Sequence, residues 1–151
     1  MRESFVVAAV LIAGCTTAGP TVVKQRATAQ VNPAERDKVY ARALETLQRR
    51  GWIVAVSDRA GGLLTTQTMA TGVKPCGIIT CDSRSTLQVT ITEAGSVAVN
   101  LHRELFVDAT HRWFVPTLDR DVAVIEVEQR GILAEIVGEA ASKAGAAPAA
   151  R

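Results

Sequence analysis

Most of the chemistry this sequence offers comes from two cysteines and two histidines. Cys76 and Cys81 are spaced C-x-x-x-x-C. Dithiol oxidoreductases favour C-x-x-C, and two thiolates alone do not complete a tetrahedral zinc site. In an oxidising compartment such a pair reads as a structural disulfide closing a small loop, worth about 2 kcal/mol in the chain-entropy picture. The functional rival is an envelope thiol/disulfide enzyme, or another enzyme, that uses the Cys76/Cys81 loop. His102 and His111 are the only histidines. Their spacing does not put them on adjacent helix turns. At a hairpin end they could share a metal with Glu104 or Asp108, but surface histidines without a ligand are the default. Asp119 and Asp121 form an acid pair that is explained more simply as charge at the start of a helix. There is no Gly-x-Ser-x-Gly elbow, no phosphate-binding glycine loop and no His-Glu-x-x-His. The sequence therefore predicts no catalytic residue, no metal site and no cofactor.

A different kind of site is offered by His111-Arg112-Trp113-Phe114-Val115-Pro116. Arginine and aromatic side chains anchor interfaces, so Arg112, Trp113 and Phe114, placed together in a loop, are the candidate interface. The plainer reading is that both rings plug the edge of the core.

The first fifteen residues say where such a module works. A short polar start precedes an apolar run from Phe5 to Ala13, then Gly14-Cys15. The run is too short for the roughly 20 residues of a spanning helix and has the layout of an export signal. Leu11-Ile12-Ala13-Gly14-Cys15 resembles the lipobox of bacterial lipoproteins. The resemblance implies a signal peptide over residues 1–14, cleavage before Cys15, and acyl chains (palmitate among them) on that cysteine. Several chains on one residue give a durable anchor. Thr16 stands where an inner-membrane retention signal would place aspartate. The implied location is the cell envelope, and the outer membrane facing the periplasm in a Gram-negative cell.

Composition narrows the partners. The formal net charge of +2 argues against nucleic acid. Aromatic residues make up 4% of the chain, too few for a stacking platform. The expected contacts are the membrane, through the anchor, and an envelope protein.

One domain follows from the length. Residues 15–31, with Gly19-Pro20 and few large apolar groups, read as a flexible tether. Residues 32–141 read as the folded domain, and 142–151, rich in alanine, as a flexible tail. Asn32-Pro33-Ala34-Glu35 is a helix start, with an N-cap, a proline at the first position and a capping-box carboxylate. Val39, Tyr40, Ala43, Leu44 and Leu47 make one apolar stripe, and Gly51 ends the helix. Its arginines read as a solvated face.

Trp52–Ser57 and Leu63–Thr68 predict a hairpin, with Met69 to Arg84 a loop. Ser85–Thr92 alternates strictly and pairs across Glu93-Ala94-Gly95-Ser96 with the strand holding Val97, Val99 and Leu101. Thr86, Gln88, Thr90, Asn100 and His102 form its polar face. Arg103 breaks the alternation, which predicts a bulge or the end of burial there. A last helix starts at Thr117 or Asp119, with Gln129 interrupting its stripe and Gly131 marking close packing on the sheet or a kink. Val122–Ile125 leaves a fifth strand as an alternative. The predicted fold is α+β: a four-stranded antiparallel sheet with two helices on one face, in the order α-β-β-β-β-α.

The stretch from Val39 to Trp52, then Asp58 to Thr66, then the alternating strand pair resembles the helix-grip domains of the BamC lipoproteins, accessories of the outer-membrane β-barrel assembly machine. The resemblance spans roughly Pro33 to Ala140. It implies the helix-grip fold and an accessory role in interaction or assembly, and it carries no functional residues.

Overall fold

The computed structural model describes residues 26–76, 79–117 and 119–138. Residues 1–25, on which the expected signal peptide, Cys15 and most of the expected tether fall, and residues 142–151 of the expected tail lie outside the described residues.

The chain runs β1 (Ala27–Gln30), a 3-10 turn (Pro33–Glu35), α1 (Arg36–Arg49), β2 (Val54–Asp58), β3 (Leu63–Thr66), β4 (Met69–Cys76), β5 (Ile79–Ile91), β6 (Ser96–Val107), β7 (Arg112–Phe114) and α2 (Asp119–Val137). The antiparallel sheet has seven strands in the order β1-β6-β5-β3-β2, with β4 added to β5 and β7 added to β6. The α+β class, the antiparallel pairing and the two helices are as expected; the strand count is not.

Each extra strand lies where the local sequence argues against one. Ala27–Gln30, assigned above to the tether, pairs with Val99–Ser96 of β6. Met69–Cys76, assigned to a loop, pairs with β5, which itself begins at Ile79 and not at Ser85. Arg112–Phe114 pairs with Leu105–Val107. In each case an existing long strand supplies the hydrogen-bonding template, and tertiary pairing overrides weak local preference. Gly72 absorbs a register shift in β4 with φ +76°, and Pro75 is tolerated because β4 is an edge strand.

The Asn32, Pro33 and Gly51 signals hold, but the capping box does not: Glu35 ends a 3-10 turn without a side-chain cap bond, and α1 begins at Arg36. The Asn32 side chain accepts from the Ala34 amide at 3.0 Å, and Pro33 opens the turn that leads into α1. At the other end, Gly51 adopts φ +80°. Its amide donates to the Gln48 carbonyl, and the Trp52 amide to that of Leu47, both at 2.9 Å. This is the Schellman pattern, with Trp52 and Leu47 both buried in the core. Val122–Ile125 belongs to α2, so the fifth-strand alternative does not hold.

Both helices cover the same sheet face. Val39, Tyr40, Ala43 and Leu47 of α1 and Ile132, Leu133, Ile136 and Val137 of α2 share one core with Leu64, Leu87, Val89, Ile91, Val97, Val99 and Leu101. Gly131 is not packed against the sheet. It is exposed, and the nearest atom to a methyl group placed there is Arg50 Nη2, 3.9 Å away.

The arginines of α1 do more than face solvent. Arg42 donates to the Val137 carbonyl at 3.0 Å, closing the end of α2. Arg49 and Arg50 both bind Glu135, Arg50 at 2.6 Å. That hydrogen bond, with the attraction of both guanidinium groups, holds the Glu135 carboxyl below the ordinary carboxylate range.

Candidate functional site

The functional candidates converge on one end of the sheet, where the long β5–β6 ladder runs beyond β3. On β4 and β5 the register sets Cys76 opposite Ile79 and Lys74 opposite Cys81. Cys76 and Cys81 are disulfide-bonded, with Cα atoms 5.6 Å apart. Cys81 is only 5% exposed. The bridge therefore staples the tip of a hairpin, and one of its sulfurs is shielded from a reacting partner.

On the outer face, away from the helices, Trp113 lies opposite Phe106 with ring centroids 5.2 Å apart and planes tilted by 49°. The Arg84 guanidinium carbon sits 4.3 Å from the centre of the Trp113 ring, a cation–π arrangement. Arg84 is fixed there by Glu104, which accepts from its Nε at 2.6 Å. Trp113 and Phe106 border a groove of about 380 Å³ that is also lined by Ala70, Gly72, Asp82 and Ser83.

The predicted trio is thus separated by strand geometry. Arg112, Trp113 and Phe114 occupy a strand and not a loop. Successive side chains point to opposite faces, so Trp113 is outward while Phe114, opposite Leu105, is inward. The cation over Trp113 is Arg84 and not the adjacent Arg112. Arg84 reaches Trp113 from β5, across β6.

His102 points outward opposite Thr86, with Nε2 4.0 Å from Glu104 Oε1. His111 occupies the turn after β6 at φ +50°, its ring 6.3 Å from that of Phe106. Among the described residues no group of three or more His, Cys, Asp or Glu side chains could hold a metal ion.

The inner face of this end holds a feature missed in the sequence. β5 and β6 stay in register from Asp82–Phe106 to Ile91–Val97, so there is no bulge at Arg103. Arg103 is buried, at 3% exposure. It donates from Nη2 to Glu128 of α2 at 2.6 Å and from Nε to the Ser85 hydroxyl at 3.2 Å. Thr71 continues the chain of contacts to the Ser83 and Ser85 hydroxyls at 2.8 and 3.0 Å. Asp121, also buried, leaves Oδ1 without a hydrogen-bond partner among the described residues. It lines a cavity of about 10 Å³ with Lys74, Arg103, Leu105, Pro116 and Val124, room for about one water. The signal available in the sequence was parity. Arg103 falls between Leu101 and Leu105 on the inward rhythm, and burial with a counter-charge is the other solution to such a break.

The fold and the site together define a two-layer α+β domain whose far end is stapled by a disulfide and capped by exposed aromatic side chains. No protein-family model and no curated protein matches the sequence. Among solved structures the chain is similar to a DUF4468 family protein from Bacteroides ovatus. The identity is 14% and the TM-score 0.43, over 84% of this chain and 88% of that one.

Proposed function

We propose that the protein is a non-catalytic module of the cell envelope, anchored through acyl chains on Cys15, that works by presenting binding surfaces as an interaction or assembly accessory. The helix-grip description and the BamC-like setting belong to this proposal. The observation that carries it is a contrast in how side chains are used. Groups capable of chemistry are paired with one another: Cys76 with Cys81, Arg103 with Glu128, Arg50 with Glu135, Arg84 with Glu104. Large apolar groups are left exposed at the end carrying Arg112, Trp113 and Phe114.

The two surfaces have separate roles. The outer face of the sheet, with Thr86, Gln88, Thr90, Asn100 and His102 in register, is the docking face for an envelope protein. The aromatic end is the second contact.

The test is intact-mass analysis of the product exported in bacteria, followed by photo-crosslinking from position 88 in intact envelopes. Acylated Cys15 and one reproducible protein adduct are expected. An unprocessed initiating methionine would sink the anchor. Cross-linking that returns only monomer would sink the docking face.

A further inference from the structure

We propose that the aromatic end of the sheet contacts the bilayer itself, with Val73, Ile79, Trp113, Phe114 and Val115 entering the headgroup–acyl boundary of the membrane that holds the acyl chains. This names the partner of the second contact and rests on the anchor at Cys15 proposed above.

Three observations converge. First, the five side chains are exposed, Val73 and Ile79 at 60% and Trp113 at 37%. Tryptophan favours the membrane–water boundary because its ring is apolar and its N–H wants a polar partner.

Second, Val73, Ile79, Trp113 and Phe114 lie near one end on both faces of the sheet, just behind the Asp108–His111 turn. Val73, opposite Asp82, and Trp113, opposite Phe106, are on the outer face. Ile79, opposite Cys76, and Phe114, opposite Leu105, are on the inner face. A flat protein partner would cover one set and leave the other in water. End-on entry into a lipid boundary takes both.

Third, the chain comes from that side. β1 is antiparallel to β6, with Ala27 opposite Val99 and Gln30 opposite Ser96. The N-terminal end of β1 therefore points along β6 toward Val107, which is the aromatic end. The stretch from Cys15 to Ala27 reaches at most about 40 Å when fully extended, so an acylated Cys15 leaves this end within reach of the lipid surface. A tether raises the effective concentration enough for a weak contact to be occupied, and lipid anchors commonly need a second signal. The disulfide fixes the hairpin tip that presents Val73 and Ile79. Charge contributes little: Lys74 and Arg112 are offset by Asp82 and Asp108 in the same region, so the contact should depend weakly on salt and on anionic lipid.

The test uses tryptophan fluorescence of the acylated full-length mature chain in phosphatidylethanolamine–phosphatidylglycerol vesicles containing brominated phospholipid. Trp52 is buried in the core, so quenching reports on Trp113. The expected result is a roughly twofold loss of Trp113 emission, absent in Trp113→Phe and reduced in Val73→Ser, with unchanged circular dichroism in both variants. An acylated protein whose Trp113 escapes quenching overturns the proposal and leaves the anchor intact. If mass analysis finds no acyl chain, the anchor reading fails, and the Cys15→Ser chain at high lipid decides the tip by itself. Quenching there upholds the contact; none overturns it. A photo-crosslinker at position 113 that captures a discrete protein in place of phospholipid also overturns it.

Discussion

The two halves of the β5–β6 ladder share one register and have opposite interiors. Toward the Thr92–Ser96 turn, the inward positions are Leu87, Val89, Ile91, Val97 and Val99, all fully buried beneath α1 and α2. Toward Val107, the inward positions Ser83, Ser85 and Arg103 are buried but polar, beside the apolar Cys81 and Leu105. The near half is held by apolar packing, which needs only volume and exclusion of water. The far half is held by named partners: Glu128 for Arg103, Thr71 for both serines, and the Gly72 carbonyl for Ser83. Inward facing is decided by the alternation of the strand, and polarity only decides what must meet the side chain there.

That contrast can be broken from either side. Ile91→Ala should cost the most, about 4 kcal/mol, because a fully buried side chain leaves a cavity under both helices. Urea denaturation measures it, and a loss under about 1 kcal/mol would mean that the near half collapses around small residues. Glu128→Ala should cost about 3 kcal/mol by stranding the buried Arg103 cation. Arg103→Met combined with Glu128→Ala should recover much of that loss, since removing both charges also removes the desolvation penalty. Equal losses in the single and double variants would show that packing, and not the ion pair, holds the far half.

Replacing both Cys76 and Cys81 by serine should cost about 2 kcal/mol, the value of closing so short a loop. Near-half amides should keep their hydrogen-exchange protection, and β4 should lose it. Equal loss in both halves would mean that they unfold as one unit.

The smallest effect concerns the bridge between helices. Arg50 and Arg49 hold the Glu135 carboxyl below its ordinary value. The folded value is thus lower than the unfolded one. The stabilisation is complete above the unfolded value of about 4.3 and is lost as the pH falls through the depressed folded value. Glu135 is more than a third exposed, so solvent screening keeps the contribution below about 1 kcal/mol. Glu135→Gln should flatten the acid side of a melting-temperature profile below about pH 4.3. An unchanged profile would show that the pair adds nothing to stability.

Legibility in the sequence followed the strength of local signals. The α1 boundaries were readable because Asn32, Pro33 and Gly51 act through backbone groups within a turn of themselves. The strict alternation of Ser85–Thr92 gave the inward face of β5. The disulfide was readable from spacing and the expected compartment. Three strands were not, because Ala27–Gln30, Met69–Cys76 and Arg112–Phe114 carry alanine, glycine, proline or simply too few residues to signal themselves. The candidate site suffered the same way. Trp113 stood out as a residue type, but its partners Phe106 and Arg84 become neighbours only when β7 and β5 flank β6.

What this sequence determined by itself is what depends on neighbours along the chain: where α1 starts and stops, which residues of the central strands point inward, and which cysteines lie close enough to join. Tertiary structure alone decided how many strands the sheet has, that Arg103 stays inside against Glu128, and that Trp113 meets Phe106 and Arg84 across neighbouring strands. The physical reason is range. Caps, alternation and short loops act over a few residues, whereas edge pairing, buried ion pairs and surface patches depend on groups that the sequence keeps apart and the fold brings together.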